Sequence, residues 1–246
     1  MTQPVSSAPT ALILGASGAL GGAIAQALAT KGYALALHAR THPERCSAVK
    51  GAGIFRADFR EPAQIETLVK EVLKTFPRLD AVIWAAGIAH EALVVNLKEE
   101  DAREVLAVNL TAPVLLAKAL ARQMIKQKSG SWIFLSSHAA LSGRVGGTAY
   151  AMAQSGLLAL MKSLAREWGA SGIRVNAVLP PFVPESGLGR AASSEFAEQI
   201  RRRNVLKAPA GQSPAPPIED LAQFVLGLCK NQSASGQVFV TDGRVL

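Results

Sequence analysis

A glycine-rich turn directly follows the first predicted strand of the chain. The stretch Gly15–Gly21 reads Gly-Ala-Ser-Gly-Ala-Leu-Gly and opens the first predicted helix. Glycine allows a tight turn and lets backbone N–H groups approach a pyrophosphate, while the helix N-terminus adds partial positive charge. This placement at the first strand-to-helix junction predicts a dinucleotide-binding site.

The end of the second predicted strand carries Arg40 and has no Asp or Glu beside it. A carboxylate at this point would accept hydrogen bonds from the adenosine ribose and repel a 2′-phosphate. A guanidinium can instead pair with that phosphate through charge-assisted bonds. The sequence therefore predicts NADP(H) rather than NAD(H) as the cofactor.

Further polar or small residues follow the other predicted strands. Asp58-Phe59 ends the third strand, Ala86-Gly87 the fourth and Ser136-Ser137 the fifth, while Tyr150 begins a helix thirteen residues after Ser137. The carboxyl ends of parallel strands meet at one edge of a sheet, where ligands bind. We therefore expect these residues to lie near one another.

The elements that must position these residues alternate between short apolar runs and longer segments of helical period. This pattern predicts a single α/β domain over residues 1–246, with a Rossmann-type, doubly wound, seven-stranded parallel sheet and helices on both faces. The predicted strands are Ala11–Leu14, Tyr33–His38, Ile54–Ala57, Ala81–Trp84, Trp132–Leu135, Arg174–Val178 and Gln237–Val240. The predicted helices are Gly21–Thr30, Pro62–Phe76, Lys98–Gln127 with a break near Pro113, Tyr150–Gly169 and Ile218–Lys230.

The segment Pro180–Pro217 departs from this alternation. It contains seven prolines and one stretch compatible with a short helix, Ser193–Arg203. A long insertion after the carboxyl end of a strand often covers a ligand crevice, so we interpret it as a lid. A plain surface loop with a solvated arginine run is the alternative.

Composition narrows the class of protein. The 246 residues are 49% hydrophobic and 18% charged, which excludes a disordered chain, and the net charge of +8 suits an anionic ligand. Cys46 and Cys229 have no metal-ligand spacing, so we expect neither a disulfide framework nor a metal site. The longest apolar run, Ala81–Ala89, is short for a membrane span, and basic residues lack interleaved aromatics. We therefore predict a cytoplasmic protein that binds neither membrane nor nucleic acid.

Taken together, these motifs resemble the short-chain dehydrogenase/reductase family over nearly the whole chain. The family glycine motif matches at Gly15 and Gly21, and the last two residues of its Asn-Asn-Ala-Gly motif match Ala86 and Gly87. Within the family the sequence is most similar to 3-oxoacyl-acyl-carrier-protein reductases, with a second likeness to dihydromonapterin and pteridine reductases. The resemblance implies catalytic positions at Asn109, Ser137, Tyr150 and Gln154. It implies cofactor contacts at Gly15, Ser17, Gly18, Leu20, Gly21, Arg40, Asp58, Phe59, Ala86, Gly87, Gln154 and Pro180.

Several positions depart from the family pattern. The two Asn of the fourth-strand motif are Trp84 and Ala85, and the Pro-Gly after the sixth strand is Pro180-Pro181. The Tyr-x-x-x-Lys motif ends in Gln154, so the family lysine is missing. His90 and His138 are the histidines that could bring compensating charge to the nicotinamide, although an ordinary loop role for each stays open.

The family mechanism implies that NADPH gives hydride to a carbonyl carbon, Tyr150 gives a proton to the oxygen and Ser137 holds that oxygen. The missing lysine would grip the nicotinamide ribose and make the phenol more acidic. We therefore expect an NADP-dependent carbonyl reductase, acting on a 3-oxoacyl thioester or similar small ketone, with a weakened or altered proton relay. The alternatives are a catalytically poor, cofactor-binding subunit beside an active paralogue, and a pterin reductase.

An oligomer is expected from the helix after Tyr150. Its apolar residues cover more of the circumference than packing on one sheet face requires. They are Leu157, Leu158, Leu160, Met161, Leu164 and Trp168. The family resemblance adds that this helix and the one before it pair between subunits, so we expect a homodimer or homotetramer. The other expected partner is a small or acyl-carrier-bound carbonyl substrate.

Overall fold

Short apolar runs form the centre of the sheet, where strands are buried on both faces as parallel strands require, while the two edge strands are only partly buried. In the computed structural model, which describes residues 8–184, 186–190, 194–203, 205 and 218–243, the first run has all five residues buried. The described strands are β1 (Thr10–Leu14), β2 (Ala34–Ala39), β3 (Gly53–Arg56), β4 (Ala81–Trp84), β5 (Gly130–Leu135), β6 (Ile173–Leu179) and β7 (Val238–Val240). All seven predicted strands are confirmed, with ends that differ by at most two residues.

The strands pair in parallel in the order β3-β2-β1-β4-β5-β6-β7. The order reverses between β1 and β4, which places the ligand crevice of such a sheet beyond the carboxyl ends of these two strands. Their register, with Leu14 opposite Trp84, brings the turn after β1 next to the loop after β4. The predicted Rossmann-type sheet is confirmed.

Helices cover both faces of this sheet. The longer ones are α1 (Ala19–Ala29), α2 (Pro62–Thr75), α3 (Glu99–Leu106), α4 (Ala112–Gln127), α6 (Thr148–Gly169), α8 (Ser194–Arg203) and α9 (Ile218–Lys230), and α5 (Ala139–Ser142) and α7 (Gly187–Arg190) are single turns. One core cluster packs α1 and α9 against the sheet, and a larger one packs α2, α4 and α6 against the opposite face.

The predicted break near Pro113 is a π-helical turn, Ala107–Thr111, that separates α3 from α4. Pro113 follows the π turn in the first turn of α4, and because it has no N–H to donate to the preceding turn, it suits a point where the helical hydrogen bonding is irregular. The whole run Glu99–Gln127 is long and apolar enough to span a membrane by composition alone. Leu116, Leu120 and Met124 are fully buried in the core, however, which is the ordinary reason for an apolar helix.

The apolar stripe on α6 has a different explanation from the one the sequence suggested. Five of its six residues, all except Leu160, are buried within the chain itself, in the cluster beneath the sheet. The stripe is explained within the chain, because the helix packs against β6, α4 and α3 at once, so it is not evidence for the expected oligomer. Met152 of α6 and Val114 of α4 stay exposed.

Candidate active site

The glycine turn sets the position of the crevice. Gly15 has φ +85°, and a Cβ there would lie 2.7 Å from the backbone N and Cα of Ala86. A Cβ on Gly21 would lie 2.4 Å from the Gly15 carbonyl oxygen. Both glycines are therefore required for the close packing of β1, α1 and the loop after β4. Ser17 and Gly18 complete the turn and remain partly open to solvent.

A cavity of about 460 Å³ opens at this edge of the sheet. It collects residues from the α1 N-terminus and from the loops after β4, β5 and β6. Of the sequence-predicted site residues, the cavity brings together Gly18, Leu20, Gly21, Ala86, Gly87, Ser137, Tyr150, Gln154 and Pro180. Gly18 begins α1 without a side-chain cap, so the first N–H groups of that helix are available to an anion.

Tyr150 lies in the first turn of α6 and is 8% exposed. Burial raises the pKa of its phenol, while the hydrogen bond with Ser137 and the positive charge of Arg144 lower it. The Ser137 hydroxyl also accepts a hydrogen bond from the Ala139 N–H at 3.2 Å. The spacing of thirteen residues thus places a hydroxyl beside a buried phenol.

Gln154 lies one helical turn beyond Tyr150 and is 4% exposed. Its side-chain oxygen Oε1 is buried and has no hydrogen-bond partner among the described residues. The Ser136 hydroxyl donates to its backbone oxygen at 3.2 Å, which fixes α6 against the end of β5. An unsatisfied amide in the wall of a cavity needs a ligand group such as a ribose hydroxyl.

Asn109 lies in the π turn and is fully buried. Its Oδ1 accepts from the Ile88 N–H at 2.9 Å, and its Nδ2 donates to the Ile88 oxygen at 2.7 Å. The side chain therefore positions the loop after β4 and does not line the cavity. A Cβ on Gly87 would lie 3.5 Å from Asn109 Oδ1, so this loop packs closely on the amide.

The predicted adenine side of the site lies outside the main cavity. Asp58 pairs with Arg60, whose hydrogen bonds are the main cause of the lowered pKa of the Asp58 carboxyl, and the charge of Arg40 lowers it further. Arg40 is exposed at the end of β2, and Arg56 donates to its carbonyl oxygen at 3.4 Å. Three guanidinium groups thus surround this corner of the sheet.

The side chain of Phe59 is buried in the core. It stacks on His38 with ring centroids 4.2 Å apart and packs on Trp84 at 4.9 Å. The cofactor contact predicted at Phe59 stays a prediction, and its backbone is the part that could make it. Trp84, in place of the first family Asn, is likewise a core residue at the end of β4.

Comparison with known proteins decides the family. A model of the family described as enoyl-(acyl carrier protein) reductase matches residues 15–243. The chain belongs to the short-chain dehydrogenase/reductase family.

Relatives that span nearly the whole chain support this assignment. The chain is 32% identical to the 3-oxoacyl-[acyl-carrier-protein] reductase of Escherichia coli, covering 95% of each protein. It is 30% identical to carbonyl reductase family member 4 of Xenopus laevis, covering 94% of this chain and 95% of that one. A crystal structure of a dehydrogenase/reductase from Sinorhizobium meliloti superimposes with a TM-score of 0.85 at 30% identity, covering 98% of this chain and 96% of that one.

As a short-chain dehydrogenase/reductase, the chain is an oxidoreductase that acts on C=O and CH–OH groups. The described residues fit the nicotinamide dinucleotide of this family. The uncapped start of α1 suits its phosphates, and the unsatisfied Gln154 oxygen suits a ribose hydroxyl.

Neither histidine singled out from the sequence brings an unengaged charge to Tyr150. His90 Nε2 lies 2.7 Å from the Glu104 carboxylate, and Glu104 also pairs with Arg60. This imidazole therefore belongs to a network of charged side chains at the surface beside α3. His138 lines the cavity with its Nδ1 3.1 Å from the Ser142 hydroxyl. Sequence reasoning missed Arg144, which also lines the cavity; the signal was a cation between Ser137 and Tyr150 in a loop rich in glycine.

Proposed function

We propose that the protein is an NADPH-dependent carbonyl reductase that acts on a 3-oxoacyl thioester or a similar small ketone through an altered proton relay. The observation that carries this proposal is the hydrogen-bonded pair of Ser137 and Tyr150 in the wall of the cavity. Identity to 3-oxoacyl-[acyl-carrier-protein] reductases and to a carbonyl reductase supports the reaction class.

The residues of the cavity wall can supply the proton and the hydrogen bond that the reduction of a carbonyl needs. A bound nicotinamide dinucleotide supplies the hydride. As the carbonyl carbon gains it, the C=O π electrons move to oxygen, and the Tyr150 phenol donates its proton to that oxygen. The Ser137 hydroxyl holds the oxygen within reach, and the phenolate regains a proton from solvent.

The cofactor preference rests on the charge around Arg40. Arg40, Arg56 and Arg60 lie at the ends of β2 and β3, and the Asp58 carboxylate is already held by Arg60. Arg40 therefore remains the exposed group best placed to pair with a 2′-phosphate.

The substrate class rests on the walls of the cavity. Phe182, Val183, Leu188 and Ile200 line it from the segment after β6, which suits an aliphatic acyl group. Phe182 and Tyr150 are the aromatic side chains among the described lining residues, so the pterin alternative gains little support. We propose that residues 180–217 act as the lid; residues 185, 191–193, 204 and 206–217 lie outside the described part.

The second candidate is a cofactor-binding subunit with little activity of its own. The uncharged Gln154 and the burial that raises the pKa of Tyr150 favour this candidate.

The exposed Val114 on α4 and Met152 on α6 suit an oligomer, and with it an active paralogue as a partner. Light scattering at micromolar concentration tests the homodimer or homotetramer, and a monomer would contradict it. We place the protein in the cytoplasm, without membrane or nucleic-acid partners.

Titration of the purified protein with NADPH, NADP and NADH, followed by a panel of acyl thioesters and pterins, tests the proposal. We expect NADPH to bind and a 3-oxoacyl thioester to oxidise it, as followed by NADPH absorbance. Tight NADPH binding without turnover of any carbonyl would favour the non-catalytic subunit, and turnover of pterins alone would favour a pterin reductase.

A further inference from the structure

The cavity contains a positive charge that the family motifs do not include. Among the described residues that line it, Arg144 is the one with a permanent positive charge. Position 154, where the family has lysine, holds an uncharged amide. A buried phenol needs a nearby cation to be a useful acid at neutral pH, because burial alone makes it a weaker one.

The loop before α6 holds the Arg144 side chain over the start of that helix. A Cβ on Gly147 would lie 3.1 to 3.2 Å from Cβ, Cγ and Cδ of Arg144, so the aliphatic stem rests on this glycine. The Gly147 N–H donates to the Arg144 oxygen at 3.0 Å. Gly147 is the residue before α6, and Tyr150 lies in the next turn of the chain.

The loop after β4 fixes the guanidinium from the opposite side. Arg144 forms an ion pair with Glu91, and its side chain is only 11% exposed. The Ala92 N–H donates to the Gly146 oxygen at 2.9 Å, and Ala92 and Gly147 form an isolated β-bridge. The charge is therefore held by two loops that are bonded to each other.

Among the residues that the structure describes, few other charged groups face Tyr150. His138 and Arg144 line the same cavity, and Glu91 is bound to Arg144. The elements packed around the phenol contribute apolar side chains, among them Val105 and Ala153. His90, in the loop after β4, pairs with both Asp101 and Glu104 of α3.

We propose that Arg144, anchored by Glu91, is a positioning residue whose charge makes the Tyr150 phenol a stronger acid in place of the lysine that position 154 lacks. The positive charge of Arg144 lowers the pKa of Tyr150, against the larger effect of burial. This role rests on the proposed function, in which Tyr150 is the proton donor.

The first test measures the phenol directly and needs no turnover. The chain has two tyrosines, so Tyr33→Phe leaves Tyr150 as the sole one. In that background, NMR of protein labelled with ¹³C at tyrosine Cζ reports the ionisation of Tyr150. We expect Arg144→Gln to move the midpoint to higher pH and Arg144→Lys to keep it near the wild-type position. Arg103→Gln removes an exposed charge on α3 and is the matched control.

Removing Arg144 alone leaves Glu91 without its ion-pair partner and risks unfolding the loop. The double variant Glu91→Gln/Arg144→Gln avoids an unpaired carboxylate, and we expect an upward shift relative to the single variant Glu91→Gln, which keeps the cation. An equal Tyr150 midpoint in these two folded variants would overturn the proposal.

The second test measures the pH profile of reduction. We expect Arg144→Gln to lower kcat at neutral pH roughly tenfold, to move the alkaline limb to higher pH and to leave KM for an uncharged ketone unchanged. Arg144→Lys should restore most of the rate. A raised KM for carboxylate-bearing substrates with an unmoved profile would make Arg144 a substrate contact and overturn the proposal. A wild-type protein that reduces no carbonyl would defeat the proposed function, while the NMR titration would still decide the role of Arg144.

Discussion

The buried imidazole of His38 accepts a hydrogen bond from the backbone N–H of Gly15 at 3.2 Å. Because Nδ1 is the acceptor, the proton lies on Nε2, which donates to the Ala57 oxygen at 3.0 Å. One neutral side chain thus connects the glycine turn, the end of β2 and the segment after β3. Protonation of Nδ1 would break the bond to Gly15.

We expect stability to fall in mild acid because of His38. Burial lowers its pKa from 6.5 to about 4, although the bond to the Ala57 oxygen acts in the opposite direction. The unfolded chain binds this proton below about pH 6.5 and the folded chain only near pH 4, so the stabilisation present above pH 6.5 is lost as pH falls through this window. The free energy of unfolding should decrease by about 3 kcal/mol over it.

Urea unfolding at a series of pH values checks this expectation. His38→Gln should flatten the acid dependence, whereas His42→Gln, at an exposed site, should leave it unchanged. Equal slopes in wild type and His38→Gln would contradict the role assigned to His38.

Gly15 and Gly32 separate the cost of a left-handed backbone from that of close packing. Both have positive φ, +85° and +77°, but a Cβ on Gly32 meets nothing within 4 Å. We expect Gly32→Ala to cost about 1 kcal/mol of stability and Gly15→Ala about 3 kcal/mol, because its Cβ strikes the Ala86 backbone. Gly15→Ala should also weaken NADPH binding. Equal losses of stability in chemical unfolding would contradict the close-approach argument.

Arg40→Ala should remove most of the preference for NADPH over NADH. A charge-assisted pair contributes about 1.5 to 3 kcal/mol, or about ten- to a hundred-fold in affinity. Arg45→Ala removes an equal, exposed charge in the following turn and should leave the preference intact. Fluorescence titration with both cofactors measures this, and an equal loss of NADH and NADPH binding in Arg40→Ala would refute the assignment.

Gln154→Lys should raise the reductase rate and move its pH optimum toward neutrality, because a cation returns beside the Tyr150 phenol. General acid catalysis is worth about 10² to 10⁴ in rate, so the gain should exceed assay error. Gln154→Met, which removes the amide without adding charge, should not raise the rate. Tyr150→Phe should abolish activity both in the wild-type protein and in Gln154→Lys.

The gain from Gln154→Lys should be larger when Arg144 is also changed to Gln, because one cation then replaces the other. A wild-type protein that is already fully active, and that Gln154→Lys slows in either background, would contradict the account of an altered relay.

Segment 180–203 should become more protected from hydrogen exchange when NADPH binds. Several of its described residues line the cavity, and few of its described apolar side chains are fully buried, so ligand contacts should shift the segment toward a closed state. The buried face of α9 serves as the internal control. Equal protection with and without NADPH would count against a lid.

The fold could be predicted from the sequence because most strands are short apolar runs and the segments between them have helical period. The positions of Ser137 and Tyr150 followed from their spacing and the strand before them. Arg144 could not be found in this way, since its place depends on Glu91, a loop residue 53 positions earlier. The apolar stripe on α6 suggested an interface between subunits, but periodicity shows only that a helix face is buried. It does not show whether the same chain or a second subunit covers that face.

The π turn at Ala107–Thr111 sets the rotation of α4 relative to α3. A turn of this kind is an α-helix with one residue inserted, and each residue rotates the following helix by about 100°. Deleting one residue would make α3 and α4 a single regular helix, but either Val105 or Leu116 would then turn away from the core, and Asn109 would leave Ile88. A relative of this chain that loses or gains a residue here must therefore also change which residues of α3 and α4 face the core. The turn should tolerate substitution far better than a change in length.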